Sequence, residues 1–230
     1  MVRGVLFDKD GTLFDFQRSW SGWAEDVLID LSDGSPDTLS SLAALISYNI
    51  DKKSFSPDSL AIAGTLSEVA EALALGLPGC DPVMLENRLV RAAERVVMVP
   101  AVPLVPLFEG LRGRGHILGV ATNDAERAAR IQLEVAGIID ILHFISGYDS
   151  GHGGKPDPGM CLAFARGAGL APEACVMVGD STHDLVAGRA AGMRTVAVLT
   201  GVATARDLAP LADAVLPDIG ALPDWLAAQG

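Results

Sequence analysis

The chain has 230 residues, 50% of them hydrophobic and 20% charged, enough apolar material for one large core and a smaller second one, which excludes a disordered chain. A formal net charge of −12 excludes the basic footprint by which proteins bind DNA or RNA non-specifically. No repeat or low-complexity tract points to a solenoid or a tail.

Met1-Val2-Arg3-Gly4 runs directly into a short apolar strand, 4–7, that ends at Asp8, with no apolar leader in front of it. From about Gln17 to Val99 the pattern turns helical, with helices expected over 20–31, 66–75 and 81–97. Turn signals separate them at Asp33-Gly34-Ser35-Pro36, Ser56-Pro57-Asp58 and Gly76-Leu77-Pro78-Gly79. The longest apolar run, 96–108, is broken by Pro100, Pro103 and Pro106 and is too short to span a bilayer. Pro100 to Pro106 reads as a return linker, after which strand and helix alternate. The apolar run 117–121 ends at Thr122, and Asp124 is placed to cap a helix that passes Ile131 and Val135 and stops at Gly137. The run 176–178 ends at Gly179-Asp180, a helix follows from Ser181 or Thr182 to Gly192, and the run 195–199 ends at Thr200-Gly201.

Apolar strands without strict alternation mark a parallel sheet covered on both faces. The expected fold class is therefore α/β: a doubly wound, Rossmann-like parallel-sheet core made of residues 1–16 and 100–230, with a helical cap of residues 17–99 inserted after the first strand. Cys80, Cys161 and Cys175 are odd in number and show no CxxC spacing, so they are expected as free thiols in a reducing compartment, the cytoplasm.

In a sheet of this kind ligands sit at the carboxyl ends of the strands, where Asp8, Thr122 and Asp180 all fall. Asp8 and Asp10 leave the first strand two residues apart and can aim at one point. Asp180 and Asp184 lie four apart at a helix start, so both can face back toward the sheet. Lys155 sits in a Gly-Gly-Lys-Pro loop. Four carboxylates near one point repel unless a cation sits among them, and hard oxygen ligands of this kind suit Mg²⁺ bridging to a phosphate. Such a cation must also offset the long-range repulsion between an acidic protein and an anionic substrate.

Asp8-Lys9-Asp10-Gly11-Thr12-Leu13 is similar to the nucleophile motif of the haloacid dehalogenase-like superfamily of phosphohydrolases. Thr122-Asn123, Lys155-Pro156-Asp157-Pro158 and Gly179-Asp180-Ser181-Thr182-His183-Asp184 resemble its second, third and fourth motifs, in order and in matching structural context. The resemblance implies that Asp8 attacks phosphorus to form an aspartyl-phosphate, with Asp10 as general acid and then base. It implies that Thr122, Asn123 and Lys155 bind the phosphoryl group. It implies that Mg²⁺ is held by the Asp8 carboxylate, the Asp10 backbone carbonyl and the Asp180 carboxylate. Asp184 is expected to orient Lys155 or a metal-bound water.

An inserted helical lobe in a chain of this length resembles the phosphoglycolate phosphatase-like group, which implies a phosphate monoester of a small metabolite as substrate, with no nucleic-acid or membrane partner; the oligomeric state is left open. Arg18, Lys52 or Lys53 are candidates for a substrate carboxylate, and Ala63-Gly64-Thr65 is a candidate loop over the site. His152 and His183 are read as local structure, Trp20 and Trp23 as lobe core, and Lys9 has no assignable role. The competing readings are a phosphomutase of the beta-phosphoglucomutase type and a non-catalytic regulatory binding protein on the same fold. Asp10 counts against a dehalogenase, which lacks an acid there.

Overall fold

The computed structural model describes residues 1–229. Six parallel strands form one sheet: β1 (Gly4–Phe7), β4 (Ile117–Ala121), β5 (Phe144–Ser146), β6 (Cys175–Gly179), β7 (Arg194–Val198) and β8 (Ala214–Leu216), in the order β5-β4-β1-β6-β7-β8. Side chains of successive strand residues leave opposite faces. Val5 and Phe7, Val120, Val176 and Val178 meet Phe108 and Leu111 of α6 (Leu104–Gly113) and Leu226 of α11 (Leu222–Ala227) on one side. Leu6, Ala121 and Met177 meet Phe164 of α8 (Gly159–Ala168) and Ala187 of α9 (Thr182–Ala190) on the other. Helix α7 (Glu126–Val135) and the short α10 (Ala205–Leu208) complete this layer arrangement. The fold is the expected α/β class.

A second apolar core, separate from those of the sheet, is built by α1 (Phe16–Ser32), α2 (Pro36–Leu45), α3 (Leu60–Ala63), α4 (Leu66–Ala74) and α5 (Pro82–Ala93). Local chemistry explains the starts: Asp15, Ser35, Ser59, Thr65 and Asp81 each accept a backbone N–H at a helix start, and Pro36 and Pro82 sit where their missing N–H is harmless. The helix expected to reach Val97 stops at Ala93, because β-branched Val96, Val97 and Val99 lead into Pro100, which disfavours helix before it. This unit is not wholly helical either. Between α2 and α3, β2 (Tyr48–Asn49) and β3 (Ser54–Phe55) pair antiparallel. The chain enters and leaves the unit side by side, with Asp15 N–H donating to Val99 O and Ala101 N–H to Leu13 O.

Among the described residues no helix is long and apolar enough to cross a membrane. Strands β5 and β8 carry too few residues for their periodicity to stand out of the sequence, and they lie at the two edges of the sheet.

Candidate active site

Phe7 is in register with Val120 on one side and Val178 on the other, so the residues following these strands emerge along one edge. Asp8 follows β1, Thr122 follows β4 and Asp180 follows β6, and all three are buried. Lys155, from the loop before α8, reaches into the same place. Its Nζ donates to Asp8 Oδ1 at 2.5 Å, to Asp184 Oδ1 at 2.6 Å and to Ala121 O at 2.9 Å. Asp184 is fixed by the start of α9, where its Oδ2 accepts from the Ser181 N–H and hydroxyl at 3.0 and 2.7 Å. Thr12 donates to Asp180 Oδ1 at 3.1 Å. The glycines here are steric requirements. A Cβ on Gly11, which has φ +87°, would lie 2.3 Å from Asp180 Oδ2, and one on Gly201 would lie 1.7 Å from it.

Acceptor atoms of Asp8, Asp180 and Asp184 lie within 4.8 Å of one another. Burial pushes the Asp8 carboxyl up to about 7; Lys155 opposes this, and Asp184 and Asp10 add to it. Burial, with Asp8 and Asp184 nearby, also drives Asp180 well above the carboxylate range. For Lys155 burial favours the neutral form, but Asp184 and Asp8 outweigh it and raise the ammonium pKa. One lysine among three buried carboxylates leaves excess negative charge, and an all-oxygen donor set fits a hard cation. Both Asp184 oxygens are already hydrogen-bonded, which makes Asp8 and Asp180 the freer ligands.

The second motif divides its work. Thr122 Oγ1 accepts from the Asp124 N–H at 3.1 Å. Asn123 binds the Lys155 main chain in both senses, at 2.8 and 2.9 Å, and its amide also donates to Ala63 O of the helical unit at 2.8 Å. Its side chain therefore ties the lysine loop and the two units together. Ala63 and Gly64 line the cavity, while Thr65 forms a capping box with Glu68 at the start of α4.

Four expectations change. Asp124 caps no helix: α7 starts after Ala125 without a side-chain cap, and Asp124 turns inward to a buried ammonium, Lys9, at 3.3 Å. Lys9, given no role by sequence, is fully buried, 2.7 Å from Asp10 Oδ2 and 2.6 Å from Gln132 Oε1. Asp10 and Asp124 hold its pKa up against the effect of burial, and burial in turn pushes Asp124 up to about 6. Trp20 is lobe core, but it also donates its indole N–H to Asp10 Oδ1 at 2.6 Å. Arg18, Lys52 and Lys53 are exposed and line no part of the cavity, and Lys53 pairs with Glu25. Nothing in the local pattern marks Lys9 or Trp20, because Lys9 is buried by Asp124 and Gln132 from other elements and Trp20 reaches Asp10 from the first helix of the second unit. His183 does line the cavity, whereas His152 stacks near Phe144.

Above the carboxylates, between sheet edge and helical unit, lies a cavity lined by Asp8, Asp10, Thr122 and Lys155 on one side and by Trp20, Trp23 and Val69 on the other. Residues 2–192 match the family model of the haloacid dehalogenase-like hydrolases. The chain is 30% identical over 238 residues to a phosphoglycolate phosphatase of Rhodospirillum rubrum, covering 98% of this chain and 91% of that one. It is 30% identical over 211 residues to a phosphoglycolate phosphatase of Xylella fastidiosa, covering 89% and 83%. The crystal structure of a HAD phosphatase from Thermococcus onnurineus superposes with a TM-score of 0.69 at 22% identity, covering 98% of each chain. With the motifs, the sheet and the clustered carboxylates in place, the chain belongs to the haloacid dehalogenase-like hydrolases and is a phosphatase of that family.

Proposed function

We propose that the protein hydrolyses phosphate monoesters of small metabolites with Mg²⁺, through an aspartyl-phosphate on Asp8. The observation that carries this reading is the Lys155 ammonium held between Asp8 and Asp184 at the rim of the three-carboxylate cluster. Asp8 attacks phosphorus as the ester P–O bond breaks, and Asp10 gives its proton to the departing oxygen. Asp10 then takes a proton from water, which attacks the phosphorus of the aspartyl-phosphate, so that the P–O bond to Asp8 breaks and inorganic phosphate leaves. Lys155 and Thr122 hold phosphoryl oxygens during both steps, and Asp184 keeps the lysine aimed. Mg²⁺, held by the Asp8 and Asp180 carboxylates and the Asp10 carbonyl, would supply charge neutralisation for the phosphoryl group. The helical unit of residues 17–99 acts as the cap over residues 1–16 and 100–230, excluding water and contacting the leaving group. Its Ala63 carbonyl, bound by Asn123, is one contact between the two. The names of the relatives point to 2-phosphoglycolate as a first substrate to assay. Unpaired Cys80, Cys161 and Cys175 support a reducing, cytoplasmic setting.

Phosphate release from a panel of phosphorylated metabolites, with Mg²⁺ and without any bisphosphate activator, tests the proposal. Turnover that vanishes in Asp8→Asn supports it. Turnover that survives that substitution overturns the nucleophile, and dependence on a bisphosphate would reassign the protein as a phosphomutase.

A further inference from the structure

The cavity wall contributed by the helical unit is made of Phe16, Trp20, Trp23, Ile62, Leu66 and Val69. It opens into a wider groove whose charged lining beyond the carboxylate cluster is Asp58, Glu68 and Asp207. Among the described residues lining cavity and groove, the one lysine is Lys155 and there is no arginine. Lys155 is already engaged by Asp8 and Asp184 at the phosphate end. His183, the other group there able to take positive charge, lies on α9 between Asp180 and Asp184, not on the apolar wall. A second anionic group on the substrate would thus be buried against hydrocarbon and approached by carboxylates, without a counter-ion.

One polar atom on that wall is unsatisfied. Trp23 is 7% exposed, and its indole Nε1 is buried without a hydrogen-bond partner among the described residues. Its neighbour Trp20, 5.3 Å away ring to ring, has spent its own N–H on Asp10. Buried donors are nearly always paired, and Trp23 is itself a lining residue of the cavity.

Resting on the phosphatase reading above, we propose that this site prefers phosphomonoesters whose alcohol portion is uncharged and apolar and carries one hydrogen-bond acceptor for Trp23, over carboxylated esters such as 2-phosphoglycolate. The phosphate end is served by the family motifs, and the helical unit selects the body of the substrate by exclusion of charge.

The test compares kcat/KM for 2-phosphoglycolate, 3-phenylpropyl phosphate and 2-phenoxyethyl phosphate, the last two differing by one ether oxygen in place of a methylene. The phenylpropyl ester is expected to exceed phosphoglycolate by about tenfold or more. The ether is expected to gain about another fivefold, and Trp23→Phe to remove that gain while leaving thermal stability unchanged or raised, since it deletes an unpaired buried donor. Ile62→Arg should reverse the order by supplying a cation. Phosphoglycolate equal to or better than the phenylpropyl ester, or an ether preference that is absent or survives Trp23→Phe, overturns the proposal. Binding of 3-phenylpropylphosphonate and phosphonoacetate, followed by tryptophan fluorescence, separates the two claims. Preferential binding of the apolar phosphonate by a protein that turns over no ester overturns the hydrolase reading and supports the pocket assignment. Turnover of phosphoglycolate with no binding of the apolar phosphonate does the reverse.

Discussion

The indole N–H of Trp20, on the first helix of the second unit, donates to Asp10 Oδ1 at 2.6 Å, while buried Lys9 holds Asp10 Oδ2 at 2.7 Å. Both oxygens of the proposed acid/base group are thus positioned, one from each unit of the protein. The Lys9 ammonium also lies 5.2 Å over the Trp20 ring, so the two holders are themselves in contact.

Trp20→Phe keeps the ring in its core and deletes only the hydrogen bond to Asp10. We expect kcat to fall roughly ten- to a hundredfold with little change in melting temperature, the range for losing a hydrogen bond to a charged group. Steady-state kinetics alongside thermal denaturation would show it. An unchanged kcat would mean that Trp20 does not position Asp10.

Asp10→Asn should slow breakdown of the phosphoenzyme by roughly 10²–10⁴-fold, because asparagine cannot take the proton of the attacking water. The variant should therefore accumulate phosphate on the protein, detectable by mass spectrometry after acid quench. Wild-type rates of breakdown would remove Asp10 from the second step.

Lys9→Met leaves Asp124 and the Gln132 carbonyl facing one another without the ammonium that joins them. Breaking a buried ion pair from one side costs about 3–5 kcal/mol, so the urea midpoint should drop sharply. A midpoint within error of wild type would show that Lys9 contributes no net stability.

The pH dependence follows from sign. The folded-state pKa of Asp8 is raised from 3.8 to about 7 and that of Asp124 to about 6, so between roughly pH 4 and 7 the folded protein binds more protons than the unfolded one. Stability of the metal-free protein should accordingly fall as pH rises through that window, and less so in Asp8→Asn. Mg²⁺ competes with those protons, so its stabilising effect should be larger at pH 7.5 than at pH 5. Melting curves at both pH values, with Mg²⁺ or EDTA, measure this; a Mg²⁺ effect independent of pH would argue against the cluster as its site.

Much of the sheet was legible because a parallel strand buried on both faces is a bare apolar run, and Asp8, Thr122 and Asp180 each stand where such a run stops. The helix start at Ser181 also read through, because its capping box with Asp184 acts within a few residues of chain. Strands β5 and β8, three residues each, were not legible, since so short a span carries no period. Asp124 shows the limit of local reading. Its spacing suits a helix cap, but a buried ammonium from another strand tip offers it more than an exposed N–H does.

The sequence by itself determined that Asp8 and Asp10 leave one strand together and that Lys155, Asp180 and Asp184 are available to join them, because motif spacing and strand ends are local properties of the chain. Only the tertiary structure decided who holds Asp10, what lines the cavity, and which charges are missing from its wall. Those depend on how Lys9, Trp20, Trp23 and Gln132 are placed by packing across the two units, which is not encoded in any short stretch of residues.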